Sequence, residues 1–279
     1  MTDSTQYTNI GDMEEVRIMK EQNRRIKRHN AEDFAGMRKA GRVASQILDA
    51  LEKEVIAGRS TDEINDIAHK LILSHNALAA PLHYRGFPKS ICTSLNHIVC
   101  HGIPSERKLR AGDILNIDVT VIIDGWHGDH SRMFTIGKPS PKAAKLIKVT
   151  HDAMMAGIEI VKPGAYFGDI GHAIESYVSQ YGFSVVEEFC GHGLGKTFHD
   201  APNILHYGEA GSGERIEEGM FFTIEPMINL GKKDCKILRD GWTAVTRDKS
   251  LSAQYEHSIG VCRDGAEIFT QSSESPLRL

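Results

Sequence analysis

The 279-residue chain is poor in the features that mark disulfide scaffolds, membrane proteins and nucleic-acid binders. Its five cysteines (Cys92, Cys100, Cys190, Cys235 and Cys262) are odd in number and form no CxxC pair, which reads as reduced thiols and excludes a disulfide or zinc-thiolate framework. No apolar run approaches the roughly 20 residues that a bilayer-spanning helix needs. The first residues are polar and partly acidic, with neither a signal-peptide apolar core nor the character of a mitochondrial transit peptide. A formal net charge of −4 demands no nucleic-acid partner. These absences leave a cytoplasmic globular protein without a membrane or a specific DNA partner. A hydrophobic content of 41% lets it build one large core or two small ones.

Residues 1–30 read as a polar, partly basic extension, and "RIMKEQNRRIKRH" as a solvated arm, with an anionic partner such as ribosomal RNA as the sharper alternative. Regular patterning starts after Asn30. Phe34, Met37, Ala40, Ala44, Ile47, Leu51 and Val55 recur at helical spacing, and Gly58 stops the run. Ser60 and Glu63 make a capping-box pattern before a second helix. Strand-like segments fill residues 89–136. A second helix pair follows, from Ser140-Pro141 to Pro163-Gly164 and then to Gly182. Shifting the first pair by 106 residues places Gly58 on Gly164, Ile64 on Ile170 and Ala68 on Ile174. Helix, helix, strands thus occurs twice, which predicts two similar α+β halves with a site at their seam.

Within "ILNIDVTVIIDGWHGDHSRMF" (residues 114–134), Asp124-Gly125 reads as a two-residue hairpin loop. Ile123 then opposes Trp126, Thr120 faces Asp129, and Asp118 faces Ser131, so Asp118 and Asp129 are diagonal neighbours on one face. Two carboxylates so placed either reach water or share a cation. "EEFCGHGLGKTFHD" sets His192 between glycines that permit close backbone approach. Glu225 ends one apolar strand before Pro226, and Glu256 begins another. Four carboxylates and one imidazole suit Mn²⁺, Fe²⁺, Co²⁺ or Zn²⁺, and five ligands are enough for two bridged ions.

The order Asp118, Asp129, His192, Glu225, Glu256 resembles the metal-ligand set of the type I methionine aminopeptidases. So do the surrounding motifs "VCHGIP", "NIDVT", "GDHSRMF", "CGHGLGKTFH", "TIEPM" and "YEHSI", across residues 31–279. The resemblance implies the pseudo-symmetric "pita-bread" α+β fold, an antiparallel sheet flanked by two helix pairs, in one catalytic domain after the extension. It implies a methionyl aminopeptidase that removes the initiator methionine from nascent polypeptides with a small second residue. By the same resemblance two divalent ions (Co, Mn, Fe or Zn) activate a bridging hydroxide, with Asp129 and Glu256 bridging and Glu225 carrying the proton. His101 and His199 meet the substrate near the scissile peptide. Tyr84, Phe87, Cys92, Phe198 and Trp242 line the methionine pocket. Pro81 stands where some relatives have a small or thiol residue and Phe87 where tyrosine is common, which leaves the pocket's size open. The resemblance implies a monomer as the default, and the basic arm of residues 1–30 offers transient ribosome contact as a second activity. Two alternatives share the fold: an Xaa-Pro aminopeptidase or prolidase, which usually carries a large preceding domain, and a non-enzymatic relative, which would be expected to lose ligands.

Overall fold

The computed structural model describes residues 25–272. The part of the expected basic arm before residue 25 lies outside the described residues. Residues 25–30 form no helix or strand, and part of this stretch packs on the body: Ile26 joins an apolar cluster and His29 is largely buried.

Four helices carry the expected patterns: α1 (Ala31–Leu51), α2 (Thr61–Ser74), α3 (Pro141–Ile160) and α4 (Phe167–Ser179). Asn30 caps α1 through the backbone N–H groups of Glu32 and Asp33, and Ser60 caps α2 in the predicted box with Glu63. α1 stops at Leu51, where a short 3₁₀ turn takes over through Glu54, and Val55 follows it in the core. α3 ends at Ile160, before Pro163, as expected from the bias against α conformation ahead of proline.

The main sheet has nine strands and is antiparallel throughout. Its central order is Leu78–Ala79, Ile114–Ile123, Trp126–Thr135, Glu256–Cys262, Phe221–Ile224, Gly191–Gly193, Asp200–Ile204. Cys92–Leu95 and Gly265–Ile268 pair at its flanks. Alternation along the strands sorts the two faces. Leu115, Ile117, Val119, Val121 and Ile123 pack in one apolar cluster with Met37, Ala40, Ala44 and Leu48 of α1, so Asn116, Asp118 and Thr120 point the other way. The second helix pair builds a matching cluster with Phe222, Ile224, Ile259 and Val261.

The two halves repeat in detail. Gly58 and Gly164 are both left-handed, at φ +90° and +93°, where glycine avoids the Cβ penalty. Their N–H groups bond Leu109 O and Ile216 O, each at 2.9 Å. Glu63 reaches back to the N–H of Ser60, and Asp169 does the same to Tyr166, each at 2.7 Å. The predicted shift therefore superposes turns and caps as well as apolar faces.

The first helix sits on the sheet at Gly128. A Cβ there would lie 2.3 Å from the backbone carbon and oxygen of Ala40. Neither can yield without moving α1, so Gly128→Ala is expected to cost about 2–4 kcal/mol. Thermal unfolding of the variant checks this, and an unchanged Tm would refute it.

Candidate active site

The hairpin register is the predicted one: Ile123 opposes Trp126, Thr120 opposes Asp129, and Asp118 opposes Ser131. Further pairing extends two rows across the cleft-facing side. One row runs Cys92, Asp118, Ser131, Glu256. The neighbouring row brings Asp129 against Ser258, whose hydroxyl donates to Asp129 O at 2.6 Å, and Ser258 opposes Thr223. Thr223 accepts from the His192 N–H at 3.0 Å and donates to Glu225 Oε1 at 2.7 Å. Two residues of spacing thus place Thr223 and Glu225 on one face, as with Thr120 and Asp118.

Both glycines around His192 are required by space. A Cβ at Gly191 would stand 2.4 Å from Thr223 O, and one at Gly193 would stand 2.0 Å from Ala201 O. The strand is pressed between its neighbours, which brings the imidazole to the carboxylates. His192 Nε2 is 3.5 Å from Asp129 Oδ2 and 3.6 Å from Glu225 Oε1. Asp129, His192 and Glu256 can place one ligand atom each within 4.8 Å of one another.

The electrostatics favour a cation. Asp129, Glu225 and Glu256 are buried, and Asp118 Oδ1 is a buried oxygen without a hydrogen-bond partner. Among the described residues no lysine or arginine pairs with any of the four carboxylates. Burial pushes the Asp118 carboxyl up to about 7. Burial also raises Asp129, Glu225 and Glu256 well above the carboxylate range, and neighbouring carboxylates add to the rise. Four acids with one orphaned oxygen and no cationic side chain are a donor set that fits hard or borderline divalent ions.

A cleft of about 290 Å³ opens over these residues. It is lined by every residue that the sequence singled out: the five above, His101, His199, Tyr84, Phe87, Cys92, Phe198 and Trp242, together with Pro81. Tyr84 OH and His199 Nδ1 are 3.0 Å apart, and Tyr84 also meets the Phe198 ring at 4.9 Å. Phe87 and Trp242 pack edge to face at 5.2 Å. His101 is left-handed at φ +54°, a costly conformation for a side-chain-bearing residue. The loop holding it is clamped at Gly102, where a Cβ would lie 2.1 Å from Thr93 O.

Several contributors were not singled out from the sequence. Thr120 donates to Asp129 Oδ1 at 2.6 Å, and Gln254 donates to Glu225 Oε2 at 3.3 Å. The Glu225 N–H donates to His206 Nε2 at 3.0 Å, so the proton of this neutral ring sits on Nδ1. Burial lowers the His206 pKa to about 3, which keeps the acceptor intact at neutral pH. Glu187, Glu188, Asn203, Leu205 and Ile237 also border the cleft. The period-two spacing of "DVT" and "TIE" marks Thr120 and Thr223 in retrospect. His206 carries no such local signal.

Residues 35–262 match the model of metallopeptidase family M24. The chain belongs to that family and is a metal-dependent aminopeptidase. It is 57% identical to a protein named methionine aminopeptidase from Rickettsia prowazekii, over 88% of this chain and 96% of that one. It is 48% identical to the protein of that name from Escherichia coli, over 86% and 91%. The crystal structure of the Rickettsia prowazekii methionine aminopeptidase superposes with a TM-score of 0.88, over 88% of this chain and all of that one. A prolidase from Pyrococcus furiosus, 20% identical with a TM-score of 0.69, shares the fold, and 68% of its length is covered. The pseudo-symmetric pita-bread architecture is thus common to both groups. Among the described residues no helix is long and apolar enough to cross a membrane.

Proposed function

We propose that the protein removes the N-terminal methionine from nascent polypeptides whose second residue is small. The observation that carries this reading is the convergence of four carboxylates (Asp129, Glu225 and Glu256 buried, Asp118 half-buried), His192 and an aromatic-lined pocket in one cleft. The names of its relatives support the substrate. Asp118, Asp129, His192, Glu225 and Glu256 would hold up to two divalent ions. When bound, such ions neutralise the carboxylates and lower the pKa of a coordinated water toward neutrality.

The chain's own groups do the rest. Thr223 occupies Glu225 Oε1, and only the longer Gln254 contact reaches Oε2. Oε2 is the atom that takes a proton from water and returns one to the leaving amine. With its Nδ1 held by Tyr84, His199 presents Nε2 to the scissile peptide, and His101 lines the same cleft. Tyr84, Phe87, Cys92, Phe198 and Trp242 offer rings and sulfur to the thioether of methionine.

The test is release of free methionine from a Met-Ala-Ser peptide by chelated protein reloaded with Mn²⁺, Co²⁺, Fe²⁺ or Zn²⁺ in turn. Trp242→Ala is expected to raise KM about tenfold by removing one wall of the pocket. No release with any metal from folded protein, with release from Met-Pro substrates instead, would move the reading to the prolidase branch.

A further inference from the structure

We propose that residues 27–30 are a strap that positions the loop of residues 194–199, with His29 and Lys27 as positioning residues for the Phe198–His199 edge of the cleft. The proposal rests on the functional reading above only in giving that edge to the substrate.

The loop, "LGKTFH", receives much of its support from outside. Gly195 faces two rings at a side chain's distance. A Cβ there would stand 3.4 Å from His29 Cε1 and 3.5 Å from Trp126 Cζ3. The His29 ring stacks flat on Phe221 at 4.0 Å and 1°, and meets Trp126 edge on at 5.8 Å. Lys196 places its ammonium over the Trp126 ring at 5.1 Å. Gly195 O accepts from the His127 N–H at 2.9 Å, and the His127 ring stacks on Phe198 at 5.4 Å. Lys27 Nζ pairs with Asp200 at 2.6 Å, immediately after His199. His29 therefore forms part of the floor on which the catalytic loop rests, and Lys27 holds its exit.

The strap is itself anchored. The His29 N–H donates to Gly219 O at 2.7 Å, and Gly219, at φ +89°, leaves room where a Cβ would sit 2.8 Å from His29 O. Arg28 pairs with Glu217 at 2.8 Å, and Asn30 then starts α1 as its cap. The ammonium of Lys27 is mostly exposed, and such pairs contribute little. The buried His29 ring carries the larger share. The residues that read as the end of a solvated basic run thus act through loop geometry rather than through net charge.

The experiment compares His29→Ala, His29→Phe and Lys27→Ala in the full chain. Amide exchange of residues 194–199 is measured in metal-free protein with α4 as the reference, and kcat and KM are measured with Mn²⁺ and Met-Ala-Ser. His29→Ala is expected to speed loop exchange and to raise KM, each about tenfold, with kcat within about twofold and α4 unchanged. His29→Phe restores both by keeping the stack on Phe221, and Lys27→Ala shifts both in the same direction by less. Unchanged loop exchange in His29→Ala overturns the proposal. So does an equal rise in α4, which marks general loosening, or a phenylalanine variant that behaves like alanine. If His29→Ala does not fold, the phenylalanine and Lys27 variants decide by the same loop-to-α4 comparison. Failure of the wild type to release methionine would refute the substrate reading alone, because the exchange measurement does not depend on turnover.

Discussion

Replacing Glu225 by glutamine is expected to lower kcat on Met-Ala-Ser about a thousandfold, within the range associated with a lost general base. The substitution keeps the shape and the Thr223 contact to one oxygen, but it places an amide where Oε2 faces the Gln254 side-chain nitrogen. It removes the group that moves the proton and weakens one member of the proposed ligand set. Steady-state kinetics at saturating Mn²⁺ separate the two losses. A kcat that recovers with more metal assigns Glu225 to holding the ion, and one that stays low assigns it to proton transfer. A kcat within threefold of wild type at ordinary metal concentration would remove Glu225 from both roles.

Stripping the metal is the second large perturbation, and its size depends on pH. In metal-free protein, burial raises the Asp118 carboxyl to about 7, from 3.8 in the unfolded chain. A group raised in the folded state stabilises fully below its unfolded value, and that stability is lost as pH rises through the folded value. The loss therefore runs from about pH 4 to 7, and Asp129, Glu225 and Glu256 extend it upward because they are raised in the same direction. A bound cation removes the cost by stabilising the ionised forms. The gap in Tm between loaded and stripped protein is expected to widen by roughly 10 °C between pH 5 and pH 8. Buried His130, lowered to about 4, and His206, lowered to about 3, destabilise on acidification below about pH 6.5. They do so in both forms and cancel in the difference. Scanning calorimetry with and without chelator measures it, and a gap that narrows as pH rises would contradict the cation site.

The parts of the fold that the sequence made legible are those governed by short-range rules. An Asp-Gly loop fixes hairpin register, register fixes which side chains share a face, and so the relation between Asp118 and Asp129 could be read before any coordinates. The duplicated helix pairs were visible because a helix-stopping glycine and the apolar positions after it recur at a fixed spacing, whereas the match between the Glu63 and Asp169 caps emerged only in the structure. Invisible were contacts between distant segments. His206 reaches Glu225 across 19 positions, and His29 reaches Phe221 across a much longer separation, with no periodicity to announce either. The run around Lys27 was dominated by its charge, and charge says little about packing. The aromatic lining of the cleft also came from family resemblance, because a ring in a pocket and a ring in a core look alike in sequence.

The split of the site between two halves has a consequence for synthesis. Asp118 and Asp129 emerge early, on one local hairpin, whereas Glu256 begins the strand that inserts between that hairpin and Phe221–Ile224. A growing chain therefore carries two closely set acids long before the strand that completes the cleft has been made. No truncated product ending before residue 256 can bring Glu256 to the other four members of the constellation.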